Sequence, residues 1–233
     1  MSKKPVKDVF GIWQFKNAVH LAGKYQFPEI FGTYRVPEAL VPFSKCSKET
    51  DTQNKAVHFY EFDEKFIFTI DSEAKLTKKL DLLRLYQSVI LPDCSVYRDF
   101  PLALQIFQVF KSRSVGNFLM QNGINVIPNV RWGDERTWDF AFDGIQTNAV
   151  VAVGAQGGYG NDEKTTEYFE RGFVKMLEIL HPQIVLCYGN ISDNLMNVAE
   201  YNKVKIKTYP TEISKRLGKK YDPQLDLNLV EEE

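Results

Sequence analysis

The sequence predicts an α/β domain on a mainly parallel sheet of about six strands with alternating helices. Two observations carry this. Short, nearly continuous apolar runs recur, as strands covered on both faces require. Most are followed by a stretch with apolar residues at helical spacing. Pattern does not fix strand order, so an open three-layer sheet and a partial β/α barrel both fit.

The elements follow in order. Residues 1–54 read as an aromatic-rich irregular extension. Phe10, Trp13, Phe15, Tyr25, Phe27, Phe31 and Tyr34 supply rings, and Pro28, Pro37 and Pro42 break the chain into short pieces. Those rings are expected to cover the core of the main domain; a binding surface is the alternative. Residues 55–212 form the α/β domain. A strand is expected over residues 57–62, and a helix over 74–86 with Leu76, Leu80, Leu83 and Tyr86 on its apolar face. Residues 88–91 are a fully apolar strand ending at Pro92. A long helix over 100–122 starts at Pro101, with Asp99 or Ser95 as cap, and stops at Gly123. The strand over 126–130 contains Pro128, which removes a ladder donor and makes it short or locally irregular. A short helix over 135–142 follows. Strands over 149–154, 183–188 and 204–209 alternate with helices over 165–180 and 192–200. Lysines alternate along 204–209, as on a protected edge. Residues 213–233 form a basic, then acidic, tail.

The totals exclude some classes. A net charge of -1 gives no global drive toward nucleic acid or a membrane surface. Three scattered cysteines and three scattered histidines show neither a C-x-x-C pair nor local zinc spacing. No apolar run approaches membrane-spanning length, so a cytoplasmic protein with reduced thiols and no membrane partner is expected.

Chemistry is expected beyond the carboxyl ends of the strands, where both architectures bind ligands. Asp93 is the leading residue there, because it stands directly after a buried strand. Asp93, Asp134, Asp139 and Asp143 with Arg136 form the candidate catalytic set. Asp93 and Asp134 are the candidate ligands of a divalent metal, the cofactor that phosphoryl chemistry would need. Asp134 and Glu135 also suit an ordinary helix start, and Asp139 an exposed helix position. Trp132, Arg131, Arg98 and Tyr97 are candidate substrate-binding residues: a ring to stack a base or sugar, cations to meet phosphate. Trp132 suits the core equally. The loop Gly154-Ala155-Gln156-Gly157-Gly158-Tyr159-Gly160 matches neither G-x-G-x-x-G nor a P-loop and reads as a turn. No histidine adjoins Cys94 or Cys187 in sequence, so a cysteine nucleophile is not indicated.

Two resemblances add to this. Pro92-Asp93-x-Ser95-x-Tyr97, Asp99-x-Pro101-Leu102-Ala103-Leu104-Gln105, Gly123-Ile124-x-Val126-Ile127-Pro128, Trp132-x-Asp134-Glu135-Arg136 and Phe140-x-Phe142-Asp143-Gly144 resemble a family of uncharacterised bacterial, phage and mobile-element proteins. The likeness extends through Gly154 to Tyr188-Gly189, and Cys94 departs from it where an aromatic is usual. It implies a phage or mobile-element setting and an α/β domain, without an activity. In the tail, Gln224-Leu225-Asp226-Leu227-Asn228-Leu229 looks like the peptide by which bacterial replication and repair proteins hold the sliding clamp. Gln224 would give polar specificity, and Leu225, Leu227 and Leu229 the buried anchors. The function expected is a role in nucleic-acid transactions, as a metal-dependent hydrolase tethered to a clamp. The alternative is a non-catalytic interaction or regulatory protein that binds a nucleotide or a host protein.

Overall fold

The computed structural model describes residues 20–158 and 163–216. Phe10, Trp13 and Phe15, Tyr159 and Gly160 of the glycine loop, and Gln224, Leu225, Leu227 and Leu229 of the tail lie outside the described residues.

An antiparallel hairpin, β1 (Leu21–Ala22) and β2 (Phe27–Pro28), comes first. Two parallel sheets follow. The four-stranded sheet runs β3 (Ala39–Pro42), β4 (Lys55–His58), β5 (Ser88–Ile90) and β6 (Val126–Ile127). The three-stranded sheet runs β7 (Val150–Gly154), β8 (Ile184–Tyr188) and β9 (Lys205–Tyr209). Four strands and three replace the about six expected in one sheet. One of them, β3, lies within residues 1–54 and pairs with β4.

The split between the sheets has a local cause at Pro128. Val126 and Ile127 pair with β5, but Pro128 has no N–H with which to continue that ladder. Its carbonyl accepts from Ala152 N–H of β7 at 2.8 Å, and Val130 N–H donates to Ala152 O at 2.8 Å. Asn129 and Ala152 form an isolated parallel bridge. The chain thus leaves one sheet and joins the other.

Side-chain alternation sorts the core. Val41, Val57, Val89 and Val126 face a layer containing Leu76, Leu83, Val115 and Leu119. Val151, Val153, Val185 and Cys187 face Phe173, Met176, Leu177 and Leu195. The opposite faces share a cluster with Leu40, Ala56, Ile90, Ile127, Val150, Ala152, Leu186, Tyr188 and Tyr209, in which no helical residue takes part. The two sheets therefore face each other across one inner core. Their outer edges also approach: Tyr209 Oη and Lys207 Nζ each donate to Pro37 O at 2.6 Å.

The helices cover the outside. After α1 (Ile67–Ile70), where one helix is expected over 74–86, the chain forms α2 (Glu73–Thr77) and α3 (Leu80–Leu83). Ser72 caps α2 by accepting from Lys75 N–H, and at Lys79 the backbone bond shortens to Leu76 O, which breaks the helical ladder. The apolar anchors Leu76, Leu80, Leu83 and Tyr86 are nevertheless all buried. α4 (Leu102–Gln121) begins at Pro101 without a side-chain cap; Ser95 Oγ donates to Asp63 instead. Gly123, at φ +76°, ends it, with Gly123 N–H bonded to Met120 O and Ile124 N–H to Leu119 O. This is a Schellman closure, which needs a residue free of the left-handed penalty. The helix expected over 135–142 is a 3-10 turn at Glu135–Thr137. α5 (Glu163–Leu180), α6 (Asp193–Tyr201) and α7 (Glu212–Arg216) follow β7, β8 and β9. None of these helices is long and apolar enough to cross a membrane.

Candidate functional site

Parallel strands deliver their carboxyl ends to one rim, and Asp93 sits there two residues beyond Leu91. Asn129 Nδ2 donates to Asp93 Oδ1 at 2.9 Å. Tyr60 Oη donates to Asn129 Oδ1 at 3.0 Å. The carboxylate accepts and so selects the amide side of Asn129; the tyrosine must then donate to the remaining oxygen. Burial holds the Tyr60 phenol well above its ordinary range, so it keeps the proton this chain of bonds requires.

Arg131 stands beside Asp93. Its Nη1 lies 3.9 Å from Asp93 Oδ2 and donates weakly to Gly154 O at 3.5 Å, while its buried Nε has no partner. The two side chains are 16% and 25% exposed for Asp93 and Arg131 respectively, so the pair is open to a ligand yet partly shielded from water. Below them, Tyr60 and Tyr188 stack at 4.9 Å, with His58 4.6 Å from Tyr188. His58 Nδ1 accepts from Tyr60 N–H, so the ring's proton sits on Nε2, which has no partner. Desolvation pushes the His58 pKa down to about 3 and keeps the ring neutral. Asp63 is an acidic neighbour of Asp93, and its pKa is raised by burial and, less strongly, by Asp93 itself.

The other candidates go elsewhere. Asp134 caps the 3-10 turn and is bound by its own Arg136, through Nε at 2.9 Å and Nη2 at 2.8 Å. That pairing lowers the Asp134 pKa. Arg136 Nη2 also donates to Arg98 O, and Arg98 lies 5.9 Å over the Tyr168 ring. Trp132 is core: its Nε1 donates to Tyr168 O, its ring stacks on Phe169 at 5.6 Å, and Gly172 packs directly against it. Tyr97 is exposed, with its ring edge-on to Phe100. Asp139 is exposed. The Asp143 pKa is raised by burial, with Arg113 acting against that. Of the candidate set, the structure brings Arg131 to Asp93 and separately pairs Arg136 with Asp134. Among the described residues, no three His, Cys, Asp or Glu side chains are grouped to hold a metal ion.

Pattern reading missed Tyr60, Asn129, Tyr188, His58 and Arg113. Arg113 of α4 is buried, and its guanidinium donates to Asn129 O, Ala141 O and Asp143 O. It thereby holds the backbone that presents Asn129. The available signal was a polar residue set between apolar neighbours, as His58 is between Val57 and Phe59 and Asn129 between Pro128 and Val130.

The family described as a domain of unknown function (DUF4417) matches residues 19–210. The chain belongs to that family. This DUF4417 chain is 27% identical over 205 residues to the "Gene 1 protein" of Mycobacterium phage L5, covering 87% of this chain and 86% of the relative. It is 26% identical over 204 residues to the "Gene 1 protein" of Mycobacterium phage D29, covering 87% and 73%. No solved structure matches it.

Proposed function

We propose that this DUF4417 chain is a phage or mobile-element protein acting in nucleic-acid transactions, and that the rim at Asp93 binds a nucleotide. The observation that carries the reading is the Asp93–Arg131 pair. A fixed carboxylate accepts from sugar hydroxyls or a base amine, and a guanidinium with unspent donors meets phosphate. Read as a partial β/α barrel, the seven strands put that pair where such folds bind ligands. The mycobacteriophage relatives support the phage setting.

The metal-dependent hydrolase reading has less support, because Asp134 is engaged by Arg136 rather than aimed at Asp93. Calorimetric titration of the full chain with nucleoside mono- and triphosphates, with and without magnesium, tests both readings. Magnesium-independent binding that weakens about 10-fold in Asp93→Asn is expected, the loss of a charged hydrogen bond. Absence of binding by every nucleotide removes the reading, and binding that requires magnesium together with hydrolysis restores the enzyme. The tail carries a second, separable part of the proposal, a tether to a sliding clamp through Gln224, Leu225, Leu227 and Leu229. Clamp binding is expected to be lost in the Leu225→Ala, Leu227→Ala double variant, and equal binding by both forms ends that idea.

A further inference from the structure

We propose that the small pocket between residues 92–96, α4 and the strand end at 129–131 is an oxyanion site, in which Arg113 and Arg131 hold one oxygen of a phosphoryl group. The inference deepens the nucleotide reading, and rests on it only for what the phosphoryl group is attached to.

The pocket's lining carries the argument. Gln108, Ser112 and Arg113 reach it from α4, and Asn129 and Arg131 from the strand end. Two arginine residues thus line one cavity. No carboxylate does so among the described residues: Asp93 meets Arg131 from outside the pocket, and Asp143 acts on Arg113 from outside it. Burying a cation is costly unless an anion or hydrogen-bond acceptors compensate it. Arg113 spends three donors on backbone carbonyls, of the five a guanidinium carries. Arg131 leaves its buried Nε without a partner. Ser112 Oγ closes the wall by donating to Pro92 O at 2.7 Å. The pocket has room for about one water-sized group, so an anion enters by a single oxygen while the rest of the molecule stays at the Asp93 rim. The unpartnered Nε of Arg131 and the two spare donors of Arg113 suit a phosphoryl oxygen, which accepts from both, better than a neutral ligand.

The test uses the full chain and three probes, namely inorganic phosphate, a nucleoside and the matching nucleoside monophosphate. Binding is read by calorimetry and by the shift of the melting temperature. Variants are Arg131→Gln and the opposed pair Gln108→Glu and Gln108→Lys. Gln108 is half-buried on α4 and lines the pocket, so the two changes alter the pocket's charge in opposite senses. Phosphate and the monophosphate are expected to bind, and Arg131→Gln and Gln108→Glu to weaken both about 10-fold while Gln108→Lys tightens them. Phosphate that binds identically in both Gln108 variants lies elsewhere and overturns the site. A nucleoside that binds as well as its monophosphate, with no response to phosphate, leaves the rim reading standing and overturns the pocket. Phosphate that binds with the expected variant pattern, joined to a monophosphate no tighter than phosphate, sustains the pocket and overturns the rim.

Discussion

Asp93 stands directly after a buried strand and accepts from Asn129 Nδ2, whose Oδ1 in turn accepts from Tyr60 Oη. That position was legible in the sequence; its partners were not, since Tyr60, Asn129 and Arg131 meet only once strand pairing has set β4 and β6 on either side of β5. The relay makes a direct claim about Tyr60. Tyr60→Phe removes the donor to Asn129 Oδ1 and is expected to lower stability by about 1 kcal/mol, with a parallel loss of nucleotide affinity. Equal affinity in wild type and variant would show that Asn129 needs no orienting partner. His58 sets a pH dependence. Its folded pKa of about 3 lies below the ordinary value of 6.5, so the unfolded chain binds the extra proton as pH falls. The stability it contributes is complete above pH 6.5 and is lost on acidification toward pH 3. Between pH 6.5 and about pH 5 the loss is on the order of 2 kcal/mol, from 1.4 kcal/mol per unit. Denaturant titrations of wild type and His58→Gln at both pH values isolate this contribution, and equal slopes against pH in the two proteins would contradict it.

At the scale of elements, apolar spacing found faces more reliably than lengths. Leu76, Leu80, Leu83 and Tyr86 all reach the core, although the single helix they suggest is broken at Lys79. The break depends on backbone bonding that side-chain periodicity does not encode. The stop at Gly123 was legible, because only the chain-end geometry of α4 demands a left-handed residue there. Gly123→Ala is expected to destabilise by about 1 kcal/mol through backbone strain alone, as open space surrounds the added methyl. Gly172→Ala is expected to be worse, about 1–3 kcal/mol, because its Cβ would lie 2.2 Å from Trp132 Nε1. Chemical denaturation of both variants checks the order; a larger loss at Gly123 would mean that Trp132 moves aside freely.

At the scale of the whole molecule, the class was legible and the closure was not. Apolar strands alternating with helices identify an α/β chain, but strand order and the change of sheet at Pro128 arise from long-range pairing. The same holds for the seam between β9 and Pro37, which side chains close instead of a backbone ladder. Tyr209→Phe should cost about 1 kcal/mol, because Lys207 still satisfies Pro37 O. Adding Lys207→Met should cost more than the sum of the single changes, since it leaves that carbonyl without a donor. Strict additivity in thermal melts would place the seam's stability elsewhere. The central proposal lies at the rim, at Asp93 and Arg131. The most direct measurement is a crystal structure of the full chain with a nucleoside monophosphate. The account requires the phosphate on Arg131 and the sugar or base on Asp93, with the Asn129–Asp93 bond kept. A nucleotide bound away from both side chains would contradict it.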